Sequence, residues 1–166
     1  MSRFAVEITD IEGEETLTDY ANQIKCSSMQ HGVDLPVVAT GTDRTDGASM
    51  HGSIVLEHGV DKASPALRLA CAQSTNITDV KITRLTGANN QASDITTLKT
   101  CKIVNVYMDT PLDASSGEPA DMPSEFFVID YEEIKWEHKT YVDGVPSDTI
   151  SGEYDTTTMS TTTSIS

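Results

Sequence analysis

Apolar residues in this chain recur mostly at every second position, the spacing of β-strands with one buried face. In Phe4-Ala-Val-Glu-Ile8 the residues Phe4, Val6 and Ile8 share a face, and Gly13 marks the turn that follows. Residues 23–29 form a weaker strand, residues 49–57 a third with Ile54 and Leu56 on one side, and residues 79–84 a fourth. The longest alternation runs over 98–108, with apolar content on both faces, as suits a sheet covered on both sides. Over 126–137 the parity slips: Phe127, Ile129 and Tyr131 lie on one face, Ile134 and Trp136 on the other. A β-bulge near Glu132-Glu133 would turn both sets inward.

Two stretches break the alternation. Residues 31–48, "HGVDLPVVATGTDRTDGA", are rich in Gly, Asp and Thr with only a short apolar patch at Val37 and Val38, and read as a long exposed loop. Loops of that length are usually functional or mobile. Residues 61–73, "DKASPALRLACAQ", carry the one strong helix signal. Ser64 is a good N-cap, Pro65 fits the first helical position, and Ala66, Leu67, Ala70 and Cys71 follow at helical spacing. A helix over 64–73 is too short to stand alone and must pack on the sheet. Residues 87–94 and a Pro- and Gly-containing stretch from Pro111 to Pro123 read as turn and loop.

Many short strands and one helix predict a mainly β fold: a single small β-barrel of two packed antiparallel sheets, one short α-helix and a long exposed loop. The domain is expected over residues 1–155. In 156–166, nine of eleven residues are Ser or Thr, which reads as a flexible tail or a weak edge strand.

Charge narrows the partners. Eleven Lys and Arg against 26 Asp and Glu give a formal net charge of −15, the wrong sign for nucleic acid or an anionic membrane. No apolar run approaches the roughly 18 residues needed to span a bilayer, so no membrane insertion is expected. The opening residues lack an apolar signal core, and the three cysteines, Cys26, Cys71 and Cys101, form no ligand or redox spacing. Folding in the cytoplasm with reduced cysteines is the expectation.

Candidate chemistry is sparse. His31, His51, His58 and His138 stand in separate elements without a ligand pattern, and Asp43, Asp46 and Asp61 lack the EF-hand spacing. Nucleophile elbows, P-loops and dinucleotide fingerprints are absent from the sequence. Lys62 with Ser64 is better explained by helix capping, and Trp136 by a core or interface anchor. No catalytic residue, cofactor or metal site is predicted, and the chain is read as not an enzyme.

Three motifs in order resemble the Hcp (haemolysin-coregulated protein) family, the tube proteins of type VI secretion systems. Phe4-Ala-Val-Glu-Ile8 followed by Ile11-Glu-Gly-Glu14 is similar to the family's opening strand and acidic-glycine turn. Asp61, Ser64, Pro65 and Leu67 match its Asp-x-x-Ser-Pro-x-Leu element, and Ile134 and Trp136 its late Ile-x-Trp strand. The resemblance spans about residues 4–138 and is weakest over 17–47. It implies six copies in a ring, rings stacked into a hollow tube, and expulsion by sheath contraction, with export through the type VI apparatus and no signal peptide. It further implies sheath, spike and baseplate proteins as partners, with small effectors in the lumen. The exposed loop, with Asp34, Asp43, Arg44 and Asp46, is the candidate contact between rings. The alternatives are a tail-tube protein of a phage-like contractile particle and a monomeric effector-binding or chaperone module.

Overall fold

The protein is described by a computed structural model over residues 3–41, 43–87, 89–110 and 123–165, without the side chains at 40, 43, 44 and 161–165. The strands are, in chain order, β1 (Arg3–Ile8), β2 (Ile24–Gln30), β3 (Val33–Asp34), β4 (Val37–Thr40), β5 (Asp43–Asp46), β6 (Met50–His51) and β7 (Ile54–Gly59). Helix α1 (Ser64–Ala72) follows, then β8 (Ile77–Thr86), β9 (Gln91–Asp109), β10 (Ser124–Val142), β11 (Val145–Asp155) and β12 (Ser160–Ile165). The expected loop over 111–122 lies outside the described residues.

Among the described residues the fold is mainly β with one α-helix, as the alternation predicts, and its strands form a closed circuit. In place of two separate sheets, a single antiparallel sheet runs β10-β7-β2-β1-β8-β9, and β9 pairs back onto β10. Closure removes the free edges that a sheet this size would otherwise expose. β10 makes it possible by changing neighbours along its length. Its first part pairs with β7 through Ile129↔Ile54, and from Glu133 onward that side pairs with β11, which carries β12 outward as an open edge.

The parity slip in β10 is real and is shared with β9. Phe127, Ile129, Tyr131 and Ile134 are all buried, as are Ile103, Cys101 and Leu98 on the strand opposite. Both strands switch faces where Glu132 and Thr100 drop out of the ladder, between Tyr131↔Cys101 and Glu133↔Lys99. Thr100 takes φ 52°, uncommon for a β-branched residue, which marks the site of the irregularity. A slip in one strand alone would have pushed Leu98 or Ile134 into water.

The interior is aliphatic and filled, with Val6, Ile24, Leu56, Ile82, Leu98 and Phe127 in one continuous cluster. Helix α1 lies against β9 and buries Leu67 completely and Ala70 almost so. Its start differs from the expectation: Ala63 is the N-cap, Ser64 is already the first helical residue, and Pro65 is the second. The Asp61 carboxylate accepts the Ala63 N–H at 2.8 Å, and the buried Ser64 hydroxyl accepts the N–H of Asp61 at 3.2 Å. The turn before the helix is held by Asp61, so helical geometry begins one residue earlier. At the other end Thr75 N–H reaches Ala70 O and Ser74 N–H reaches Cys71 O, a Schellman closure with Ser74 at φ 52°.

Gly13 fixes the segment between β1 and β2. Its N–H donates to Asn22 O at 2.7 Å, and a Cβ there would sit 2.5 Å from the backbone of Gln23 and Ile24. Any side chain at this position would force the two backbones apart.

Candidate assembly surface: an exposed arm and its root

Between β2 and β7 the chain leaves the barrel and returns. The segment expected to be a loop is exposed, and it is also ordered as an antiparallel ribbon. Val33↔His51 and Asp34↔Met50 pair near the barrel, and Val37↔Asp46 through Thr40↔Asp43 pair farther out. Gly47 N–H to Pro36 O and Gly52 N–H to Gly32 O continue the ladder between and below them. Val37, Val38 and Thr40 give strand propensity, and Gly41 at φ 66° makes the tip. Eight residues of extended chain, 33–40, reach on the order of 25 Å.

None of the arm's described residues belongs to the barrel interior, yet it carries apolar side chains. Val33, Leu35, Val37, Val38 and Met50 are all exposed, Val38 the most at 62%. Exposed aliphatics on a projecting element are a surface of the kind that proteins use to meet one another. Asp34 and Asp46 are exposed beside them. Asp43 and Arg44 lie in β5, their side chains outside the described set.

The root of the arm is held by aromatic residues of β10 and β11. Tyr131 hydroxyl donates to Gly52 O at 3.2 Å and lies 2.7 Å from His31 Nε2, so one hydroxyl ties both legs of the arm. His51 stacks on Tyr154 at 4.2 Å, and Ser49 Oγ lies 2.7 Å from the Tyr154 hydroxyl. His31 and His51 each stand 6.1 Å from the Trp136 ring. Burial pushes the Tyr131 hydroxyl up to about 12, with help from the Asp130 charge, so this hydroxyl stays protonated and able to donate.

A second polar cluster pins the helix. Glu125 and His58, both fully buried and directly paired in the β7–β10 ladder, meet at 3.2 Å between Oε1 and Nε2. Arg68 of α1 donates from Nε at 2.7 Å and from Nη2 to Glu125 Oε2. His58 Nδ1 lies 3.6 Å from Asp61. The chain Asp61–His58–Glu125–Arg68 ties strand, turn and helix together. The sequence pattern shows His58 only as one of four scattered histidines and does not single out Glu125. Strand parity could have found them, since His58 continues Ile54 and Leu56, and Glu125 precedes Phe127 and Ile129 on the inward face.

Against models of known families, residues 6–138 match that of the type VI secretion system effector Hcp. The chain belongs to the Hcp family. Solved structures agree on the fold. A structure of a type six secretion system protein superposes with a TM-score of 0.87 at 18% identity, covering 98% of this chain and 100% of that one. Hcp1 from Salmonella typhimurium gives 0.76 at 19% identity over 97% and 99%. A type VI secretion system effector from Yersinia pestis gives 0.69 at 20% identity over 92% and 98%. A search of curated proteins gives no match.

Within this Hcp-family chain the predicted motif residues have separate duties. Leu67 and Ile134 are core residues, Asp61 and Ser64 shape the turn into α1, and Pro65 is exposed on its first turn. Trp136 is half-buried and packs both on the core and beside the arm root. Among the described residues no group of three His, Cys, Asp or Glu is placed to hold a metal, and no helix is long and apolar enough to cross a membrane.

Proposed function

We propose that the chain is a subunit of the type VI secretion tube, six copies closing a ring and rings stacking through the arm into a hollow tube that sheath contraction expels. Family membership supports the tube role. The observation that carries the arm assignment is the set of aliphatic side chains on a ribbon that shields none of them in its own subunit. In a stack they would lie against the neighbouring ring, with Asp34, Asp43, Arg44 and Asp46 setting the register of the contact. Lateral heterologous contacts close a ring where their rotation allows, and the arm contact continues the assembly along the axis. The barrel's filled interior supports the building-block reading over a module that binds cargo within its own barrel. Sheath, spike and baseplate proteins and small luminal effectors are the proposed partners, and the apparatus itself the proposed exit from the cytoplasm.

Size-exclusion chromatography with negative-stain microscopy tests this. Rings with a central hole, stacking on concentration, are expected. Val38→Asp places a charge on the arm's most exposed aliphatic position; it should leave rings intact and abolish stacking. A clean monomer at high concentration would overturn the tube reading, and normal stacking of Val38→Asp would overturn the arm assignment.

A further inference from the structure

We propose that His31 and His51 form a proton-sensitive catch at the arm root, holding the arm against β10 and β11 when both are neutral and freeing it when they are protonated. The proposal deepens the arm assignment and rests on it. Three features carry it. The two histidines stand on opposite legs of the arm, diagonal across the Val33↔His51 pair, and both approach the same indole. Two cations there would repel each other across a shared, partly dry ring. His51 Nδ1 is buried and has no hydrogen-bond partner, so a proton added to it would create a buried donor without an acceptor. The contacts that close the root all accommodate neutral rings: stacking on Tyr154, and one hydrogen bond to the Tyr131 hydroxyl.

The groups facing the pair determine the sign. From β11 comes the Tyr154 hydroxyl; from β10 come Tyr131 and, at the edge of a cavity of about 300 Å³ that His51 and Ser49 also line, the exposed Asp130 and Glu132. On the arm itself Asp34 is exposed. The carboxylates favour protonation, but burial outweighs them. Burial lowers His31, its neighbour His51 lowers it further, and burial lowers His51. The docked arm therefore binds fewer protons than the free arm. Docking is fully present above the ordinary imidazole value of about 6.5 and weakens as pH falls below it through the lowered values.

Trp136 is the only tryptophan, and imidazolium quenches indole emission where imidazole does not, so the protein carries its own reporter. In dispersed subunits titrated from about pH 8 to about pH 5, Trp136 emission should fall in a step with its midpoint below about 6.5. Amide exchange over 33–51, corrected for intrinsic pH dependence, should rise about tenfold across that step, with β1 and β8 unchanged. Proton NMR of the imidazoles in the unmodified protein should give His31 and His51 the same depressed midpoint. The step should vanish in His31→Gln/His51→Gln, whose amides preserve a donor for Tyr131. It should persist in His138→Gln, since His138 is held by Asp94 at 2.6 Å, two residues from Trp136. Ring stacking should lose its acid sensitivity only in the double variant. A flat emission curve, ordinary imidazole midpoints, or a step surviving the double substitution overturns the catch. If Val38→Asp still blocks stacking, that failure leaves the arm assignment standing.

Discussion

Removing the Glu125 carboxylate should destabilise the subunit by an amount that can be worked from its neighbours. Glu125 is fully buried and accepts two N–H groups from Arg68 on one oxygen while the other meets His58 Nε2. In Glu125→Ala the Arg68 side chain, half exposed, returns to water, so the lost ion pair itself costs little. His58 has no such exit. Its Nδ1 already lacks a hydrogen-bond partner, and its Nε2 would be orphaned beside it. An unpaired buried polar atom costs about 1–3 kcal/mol, and the small void left by the side chain adds about 1 kcal/mol. The expected total is about 3 kcal/mol, or about 6–12 °C in Tm at ~2–4 °C per kcal/mol for a domain of this size. Glu125→Gln, which keeps the volume, should cost about 1 kcal/mol. Arg68→Ala should cost about as much as Glu125→Ala, because it strands a buried carboxylate. Urea and thermal unfolding followed by circular dichroism would read these values on dispersed subunits at one protein concentration, since assembly adds its own stabilisation. The decisive result is the double-mutant cycle. Coupling of about 2 kcal/mol between Arg68 and Glu125 is expected, and simple additivity would refute the network.

Three further outcomes follow from the same structure. Leu67→Asp buries a charge in the α1–β9 contact and should give insoluble or unfolded protein; a soluble, ring-forming variant would show that this face is not core. With −15 on each subunit, stacking followed by light scattering should strengthen as salt screens like charges, and indifference to ionic strength would contradict the charge argument. We propose that folding resides in residues 1–155. Deleting 156–166 removes the outermost strand, β12, and the two hydrogen bonds from Thr156 to Glu132 O, and should lower Tm by a few degrees at most; a large fall would make that segment part of the folding unit.

The period-2 and period-3.6 patterns suffice for the helix, for β1, β2, β7, the later part of β9 and the face switch in β10, because burial on one side imposes those periods directly; they do not give β11, and residues 91–94, expected as turn, open β9 instead. A ribbon with no buried face has no alternation to display, so Val37 and Val38 were adjacent apolar residues in a polar stretch, and only pairing with residues 43–46 makes them a strand. Ser-Pro before an apolar stripe fits a cap at Ser64, while the true start, with Ala63 as N-cap, depends on how Asp61 folds the preceding turn. The arm root was illegible for a different reason. His31, His51, Tyr131, Trp136 and Tyr154 are scattered over more than a hundred residues, and only the exchange of partners along β10 brings them together. His58 and Glu125 were legible by parity, but a charged residue at an inward position is easily taken for a strand end.

Because none of the arm's described side chains enters the barrel interior, recognition and folding rest on separate residues. Residues within 33–48 need satisfy only their own ladder and whatever surface they touch, so substitutions there can alter recognition with little penalty in folding. Two related tubes made in one cell could thus be kept from mixing by divergence confined to this short stretch, with identical barrels beneath. The same separation makes the tip between Thr40 and Asp43 the natural place to graft a foreign peptide onto the subunit.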